Sequence, residues 1–518
     1  MFTALTEDLT ILTVAFGVGV LTWGFFRARP YGKLGILAWL QSVILMLPLL
    51  LVFGLAAAGI FLNLIVILVL LVASSAVYII LGNRVRSLKQ DAVLSRRATA
   101  IAEAQDADKT NPSTEKSDQP EPNITSVSIQ PETAIAESDI VPIPAEDLKA
   151  IQSIFGIDTF FATETIPYQE GAIFRGNLRG EPEETYNRLS AALQERLGGS
   201  EADPKEPRYR LFLVENQDNK AVVIVLPSSR DPQPMSAAQK TLAVVLLLVT
   251  IAACLESGGL MLGFDLFYTP NRIAETVPLA AGILAILAVH ELGHWLMARR
   301  HQVRLSFPFF IPTLQIGSFG AITRFESFLP NRNVLFDVAF AGPAAGGLVS
   351  LTMLIAGLLL SHKGSLFQLP SQFFQGSILV GTLTRVVLRE SLQQPLVDVH
   401  PLVVLGWLGL VITALNLMPV GQLDGGRIVQ SIYGRKIAAR TTIGTLIVLG
   451  LAALVNPLAL YWAVLLLFLQ RDLERPCLNE LTEPDDARAA LGLLSLFLMV
   501  TTLLPLTPSL AGRLGIGM

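Results

Sequence analysis

Two histidines four residues apart, with a glutamate directly after the first, lie in one apolar stretch of the chain. The stretch covers about residues 277 to 298 and contains His290, Glu291 and His294. On a helix, residues four apart share a face, so His290 and His294 can present two imidazoles to one metal ion. Glu291 then lies a step around the helix, beside the open position of the metal. This H-E-x-x-H spacing predicts a zinc site of the kind found in metalloproteases.

The location of the motif adds to its significance. Three ionisable side chains within one membrane span are costly to insert, and such residues are functional by default. In the alternative interpretation, the histidines only form hydrogen bonds with neighbouring helices. A third ligand decides between the two, because structural zinc takes four protein ligands, whereas catalytic zinc takes three and leaves one position for water.

Asp424 is the strongest candidate for the third ligand. It belongs to the stretch Asn416-Leu-Met-Pro-Val-Gly-Gln-Leu-Asp424-Gly-Gly, where proline ends a helix and the glycines allow an unusual backbone close to a metal. The other histidines are expected at interfaces or beyond the ends of spans: His301, His362 and His400. The competing carboxylates are Asp337, Glu326 and Asp398, of which Asp398 falls on the outer side of the membrane.

The composition identifies the kind of chain that must position these residues. Of the 518 residues, 52% are hydrophobic and 15% are charged, whereas soluble proteins carry about 25% charged residues. The formal net charge of -4 offers no basic surface for nucleic acid. We therefore expect a polytopic α-helical membrane protein.

About ten transmembrane helices are predicted, on the basis of roughly 20 apolar residues for each crossing. Three lie within residues 1–89, which form an N-terminal membrane segment. The others are expected at about 241–262, 277–298, 334–360, 400–418, 441–455, 458–470 and 489–506. Residues 305–332 are apolar but interrupted by prolines and glycines. Irregular backbone at membrane depth requires a protein-lined site, so this segment is expected to be a re-entrant hairpin.

The remaining segments complete the domain organisation. Residues 90–147 are polar, acidic and proline-bearing, which predicts a disordered linker. Residues 148–234 are expected to form a small soluble α+β domain, inserted between the N-terminal spans and a membrane core at residues 235–475. A C-terminal segment, residues 476–518, contains the last transmembrane helix.

Clusters of Lys and Arg orient the spans. With the N-terminus outside, four clusters fall on the cytoplasmic side, near residues 27–33, 84–97, 299–304 and 427–440. The linker and the soluble domain are then cytoplasmic. His290, Glu291, His294 and Asp424 all fall in the cytoplasmic half of the membrane, where the ligands can meet.

These motifs together resemble the site-2 protease family of intramembrane zinc metalloproteases. The resemblance covers about residues 240 to 470, and the small-residue stripe Gly342-Pro-Ala-Ala-Gly-Gly347 fits the same pattern. The stripe is expected to let helices approach closely. The segments Gly176-Asn-Leu-Arg-Gly180 and Gly317-Ser-Phe-Gly-Ala-Ile-Thr323 resemble the EGY-type branch of plastids and cyanobacteria. No transit peptide is expected, which favours a cyanobacterial plasma or thylakoid membrane.

The resemblance implies hydrolysis of peptide bonds in or near the transmembrane helices of membrane-anchored substrates. Zn2+ would be held by His290, His294 and Asp424, with Glu291 as the general base. Asn416 would either stabilise the oxyanion or orient the site. The expected partners are transmembrane protein substrates and the lipid bilayer, and the oligomeric state stays open. The alternative function is a non-proteolytic zinc-binding membrane chaperone or transporter.

Overall fold

The computed structural model describes most of the chain from residue 143 onward. The described residues are 143–516 without 169, 199–206, 217–219, 455–456 and 470–471, together with scattered positions between 22 and 84. Apart from those positions, the three predicted N-terminal spans lie outside the described residues. The predicted linker lies outside them up to residue 142.

The chain forms two compact units. One consists of residues 1–135 and 447–464, and the other consists of residues 136–446 and 465–518. The second unit contains a small sheet domain and the helices that carry the candidate site residues.

The sheet domain has four antiparallel strands and two helices. Its elements are α1 (Ala145–Gln152), β1 (Phe160–Tyr168), β2 (Gly171–Leu178), α2 (Pro182–Leu197), β3 (Tyr209–Glu215) and β4 (Ala221–Pro227), with the strand order β1-β2-β4-β3. Leu189 and Leu193 of α2 are buried in one core with Phe174 and Val223 of the sheet. α2 ends before Gly198, whose φ of 66° lies in the left-handed region that glycine tolerates.

Most of this domain follows the sequence pattern. β3 and β4 pair from Tyr209 opposite Pro227 to Glu215 opposite Ala221, which confirms the predicted hairpin. β1 was not predicted. α1 begins at Ala145, inside the range expected for the disordered linker, and buries Ile151 in the domain core.

The rest of the chain is mainly helical. The helices are α3 (Ala237–Met261), α4 (Ile273–Arg300), α5 (Arg332–Leu360), α6 (Ile378–Leu388), α7 (Pro401–Asn416), α8 (Asp424–Ala452), α9 (Pro457–Leu469), α10 (Asp486–Leu503) and α11 (Pro508–Leu514). The short strands are β5 (Phe309–Thr313), β6 (Gly317–Ile322), β7 (Phe367–Pro370) and β8 (Leu396–Val399). α8 changes direction at Gly434, where φ is 78°.

Among the described residues, four helices are long and apolar enough to cross a membrane. They are α3, α4 with the preceding turn, α5 and α10. The helical membrane class and the additional small sheet domain are therefore as predicted. The shorter α6 and α11 were not predicted.

Small residues set the spacing between the helices. A Cβ added at Gly293 of α4 would lie 2.5 Å from the Ala341 carbonyl oxygen of α5. A Cβ added at Gly406 of α7 would lie 2.3 Å from the Leu354 backbone nitrogen of α5. Helices with glycine at such crossings approach backbone to backbone. Hence α4 and α7 both lie directly against α5.

Residues Leu478–Glu480, here called the bridging segment, connect the sheet domain with the helical part. On one side the segment exchanges two backbone hydrogen bonds with Leu213 of β3, at 2.8 and 2.9 Å. On the other side its N–H groups donate to the carbonyls of Leu329 and Pro330, at 2.8 and 2.9 Å. The bridging segment therefore covers the β3 edge of the sheet, which would otherwise expose unpaired backbone groups.

Candidate metal centre

The two histidines of α4 face α5 and are almost fully buried. His290 is 7% exposed and His294 is 5% exposed. The third residue, Asp424, is the first residue of α8 and is 7% exposed. A tight turn places it there: a Cβ at Gly425 would lie 1.8 Å from the Leu417 carbonyl oxygen, so the residue after Asp424 must be glycine.

Three atoms of these side chains form a nearly equilateral triangle. His290 Nε2 lies 3.2 Å from His294 Nε2 and 3.2 Å from Asp424 Oδ2, and His294 Nε2 lies 3.3 Å from Asp424 Oδ2. Ligands placed tetrahedrally at zinc distances of 2.0–2.1 Å are separated by about 3.3 to 3.4 Å. The triangle therefore fits a small tetrahedral cation, and two nitrogens with one oxygen are a donor set that zinc accepts. In the described part of the chain, these three side chains form the cluster that could hold a metal.

Contacts behind the triangle prepare His294 to bind a metal. Its Nδ1 lies 2.8 Å from the Val338 carbonyl oxygen of α5. A carbonyl can only accept, so Nδ1 carries the proton and Nε2 presents its lone pair. Gly342 leaves room for the ring, since a Cβ there would lie 2.1 Å from His294 Nε2. Gly346 lies behind His290 in the same way, with a 3.0 Å approach to its Cβ.

Glu291 is half-buried beside these ligands and is held from the hairpin side. Its Oε2 accepts a 2.8 Å hydrogen bond from the Thr323 hydroxyl, which directly follows β6. On a helix the next residue is rotated by about 100°. Glu291 therefore lies to one side of the His290–His294 face rather than within it.

Asn416, the last residue of α7, is 4% exposed. Its Nδ2 donates to the Phe319 carbonyl of β6 at 3.1 Å and to the Ile412 carbonyl at 2.9 Å. Gly320 has a φ of 110° and leaves the space that Asn416 occupies, because a Cβ there would lie 2.4 Å from Nδ2. Asn416 thus attaches the β5–β6 hairpin to α7.

The competing carboxylates form other contacts. Asp337 accepts from Arg488 at 2.7 Å and lies 3.1 Å from His301 Nε2. Glu326 accepts from the Met235 backbone N–H at 2.9 Å. Asp398 accepts from the Gly364 backbone N–H at 2.8 Å.

The two outer histidines also have local roles. His362 Nδ1 lies 3.0 Å from the Lys363 carbonyl oxygen. His400 accepts a 3.3 Å hydrogen bond from the Leu402 backbone N–H and caps the start of α7. Neither histidine belongs to the triangle, which agrees with their exclusion as ligands.

Sequence reasoning missed three buried residues around Glu291. They are Thr323, Arg427 and Glu474. Arg427 gave a signal, because it follows Asp424-Gly-Gly by one residue and a buried arginine in an apolar environment requires a partner. Glu474 gave none, since nothing in its local sequence connects it with residues near 427.

Comparison with known proteins adds the family. The family described as Peptidase family M50 matches residues 278–456, and the one described as EGY3 middle domain matches residues 149–234. The chain is 38% identical over 410 residues to the probable zinc metalloprotease EGY1, chloroplastic, of Arabidopsis thaliana, covering 72% of this chain and 73% of that protein. The chain belongs to peptidase family M50.

Further relatives lie in the same EGY group of the family. The probable zinc metalloprotease EGY2, chloroplastic, of Arabidopsis thaliana is 36% identical over 71% of this chain and 66% of its own length. The probable zinc metallopeptidase EGY3, chloroplastic, of the same plant is 33% identical over 70% and 66%. No solved structure matches the chain. The predicted resemblance to EGY-type site-2 proteases is confirmed, and the M50 match includes all three triangle residues, Glu291 and Asn416.

Proposed function

We propose that this M50 protein is an intramembrane zinc metalloprotease in which His290, His294 and Asp424 hold the metal and Glu291 is the general base. The observation that carries the assignment is the triangle of two Nε2 atoms and one Oδ2, with sides of 3.2 to 3.3 Å. Relatives named zinc metalloproteases support both the activity and the metal. The substrates are proteins anchored in the membrane, cleaved in or near their transmembrane helices.

The chemistry divides between the metal and the chain. Zinc, when bound, supplies a Lewis acid that lowers the pKa of water and polarises the scissile carbonyl. Glu291 accepts the proton of the attacking water on its carboxylate and then delivers it to the departing amine. Val338 keeps the proton of His294 on Nδ1, and the glycines of α5 hold the two rings in place. Burial of the triangle limits the access of bulk water.

For Asn416 we favour the orienting role over the oxyanion role. Its amide nitrogen already donates to two carbonyls, those of Phe319 and Ile412. These bonds support a function in which Asn416 holds the β5–β6 hairpin at a constant distance from α7. A substrate unwound beside the hairpin could then pair with an extended strand.

The proposal includes the finer features of the membrane arrangement. The β5–β6 hairpin is re-entrant, the complete chain has about ten spans, and the site lies in the cytoplasmic half of the membrane. The basic residues at the end of α4, Arg299 and Arg300, support this orientation, because cytoplasmic loops are enriched in Lys and Arg. The relatives are named chloroplastic, and we propose a cyanobacterial plasma or thylakoid membrane for this chain.

A cleavage assay tests the function directly. The purified protein is incubated with a library of membrane-spanning peptides, and the products are identified by mass spectrometry. We expect cleavage by the wild type and none after Glu291→Gln. Glu275→Gln, an exposed change at the other end of α4, is the matched control and should cleave normally. A silent wild type, or unchanged cleavage after Glu291→Gln, would refute the protease and leave a non-proteolytic chaperone or transporter.

The metal content tests the third ligand. We expect the wild type to bind one zinc ion per chain and Asp424→Ala to lose it during purification. Asp398→Ala removes a competing carboxylate at the surface and should keep the zinc. Wild-type zinc content in a folded Asp424→Ala protein would exclude Asp424 as a ligand.

A further inference from the structure

Thr323 makes two hydrogen bonds that point in opposite directions. Its hydroxyl donates to Glu291 Oε2 at 2.8 Å, and its carbonyl accepts from Arg427 Nη2 at 2.7 Å. The residue is 8% exposed, so water does not compete freely for either bond. A carboxylate only accepts hydrogen bonds, so the hydroxyl hydrogen is directed at Glu291.

Arg427 is itself held by a buried ion pair. Its Nε lies 3.0 Å and its Nη2 2.8 Å from Glu474 Oε2, and both side chains are less than 10% exposed. The guanidinium also lies over the Phe325 ring, 4.7 Å from the centroid. Gln430 donates to the Glu474 carbonyl at 3.2 Å. A buried pair with these additional partners stays closed, because separating it would leave a charge without a partner in the protein interior.

We infer that Thr323 is a positioning residue for the proposed reaction, with the Arg427–Glu474 pair as its support. The inference rests on the proposed role of Glu291. A glutamate has three rotatable side-chain bonds, and a donor on Oε2 selects the rotamer in which Oε1 faces the reacting water. The geometry of a general base decides its efficiency, because proton transfer requires an approach within hydrogen-bond distance.

Loss of the hydroxyl should slow the chemical reaction and leave binding intact. Thr323 contacts the base through its side chain, so the hydroxyl acts on kcat. Removing a group that orients a catalytic or metal-binding residue reduces activity by about 10- to 100-fold. We expect a decrease of that size in kcat for Thr323→Val, with KM unchanged to within about twofold.

Two pairs of variants isolate the hydroxyl. Wild type and Thr323→Val have side chains of nearly equal shape and differ in the hydroxyl, and so do Thr323→Ser and Thr323→Ala at a smaller size. Thr352→Val is the matched control, since that exposed hydroxyl only donates to the Leu348 carbonyl of its own helix. For each variant, kcat and KM on one cleaved peptide, zinc content and Tm are measured.

The expected result is a 10- to 100-fold lower kcat within each pair, near-complete rescue by serine, and equal zinc content and Tm. Equal kcat within both pairs would overturn the inference, and so would a serine variant as slow as alanine. If the valine variant unfolds, the serine and alanine pair decides the question alone. A wild type that cleaves while both pairs are equal refutes only the role of Thr323, whereas a silent wild type refutes the proposed function itself.

Discussion

Gly342 lies on α5 directly opposite the ring of His294, and its replacement by alanine tests the metal centre from outside the ligand set. The added Cβ would lie 2.1 Å from His294 Nε2, about 1.3 Å closer than an ordinary contact of 3.4 Å. The ring cannot easily turn away, because its Nδ1 is bonded to Val338 at 2.8 Å. A shift of this size is several times the ±0.2 Å within which zinc ligands are found.

The expected magnitude follows from that displacement. Metal affinity falls about 10- to 100-fold when a group that orients a ligand is lost, so moving the ligand itself should cost more than about 100-fold. Helix propensity alone predicts the opposite sign for stability, since alanine in a helix interior is favoured over glycine by about 1 kcal/mol. Overpacking costs about 1 to 3 kcal/mol, and Pro343 further disfavours helical backbone before it. Zinc affinity is therefore the decisive readout, and Tm is the supporting one.

Two glycines on the same helix are matched controls for the assay. A Cβ at Gly347 would lie 3.5 Å from Thr413 Cγ2, which is an ordinary contact, and a Cβ at Gly346 would lie 3.0 Å from His290 Cβ. Zinc affinity, measured by competition with a chromogenic chelator, should be normal for Gly347→Ala, slightly weaker for Gly346→Ala and lost for Gly342→Ala. If folded Gly342→Ala binds zinc as tightly as Gly347→Ala, the assignment of His294 as a ligand is wrong.

Three further predictions concern the surroundings of the site. Breaking the buried ion pair with Arg427→Met or Glu474→Met should cost about 3 to 5 kcal/mol, whereas the double variant should recover most of the Tm; a double variant no more stable than either single would contradict the pairing. Leu478→Pro removes a backbone donor of the bridging segment and should expose Cys477 to iodoacetamide. In the wild type that thiol is fully buried and burial raises its pKa, so it should stay unlabelled. Equal labelling of wild type and variant by mass spectrometry would exclude the bridging role. A chelator should abolish cleavage and lower the Tm of the wild type, because the metal binds only the folded chain. Asp424→Ala should not respond, and an equal Tm shift in that variant would argue against the assigned ligand set.

Local sequence carried much of the information on this protein. Seven helices from α3 to α10 begin and end near the predicted spans, except that α8 starts before its predicted span and bends at Gly434. The placement of His290 and His294 on one face needed only the period of a helix. Asp424 needed only the recognition that proline and glycine form a turn beside a carboxylate. β1 and α1 escaped prediction because the sheet-domain core, rather than a strong local pattern, stabilises them.

The sequence by itself determined the membrane class, the helices and the candidate ligands, because apolar length and helical period are properties of neighbouring residues. Only the tertiary structure decided which polar groups meet. Thr323 contacts Glu291 across 32 positions, Arg427 contacts Glu474 across 47, and the bridging segment joins β3 to the helical part across more than 250. Such contacts depend on how the helices and the hairpin pack, and a buried polar group takes whichever partner that packing brings within hydrogen-bond distance.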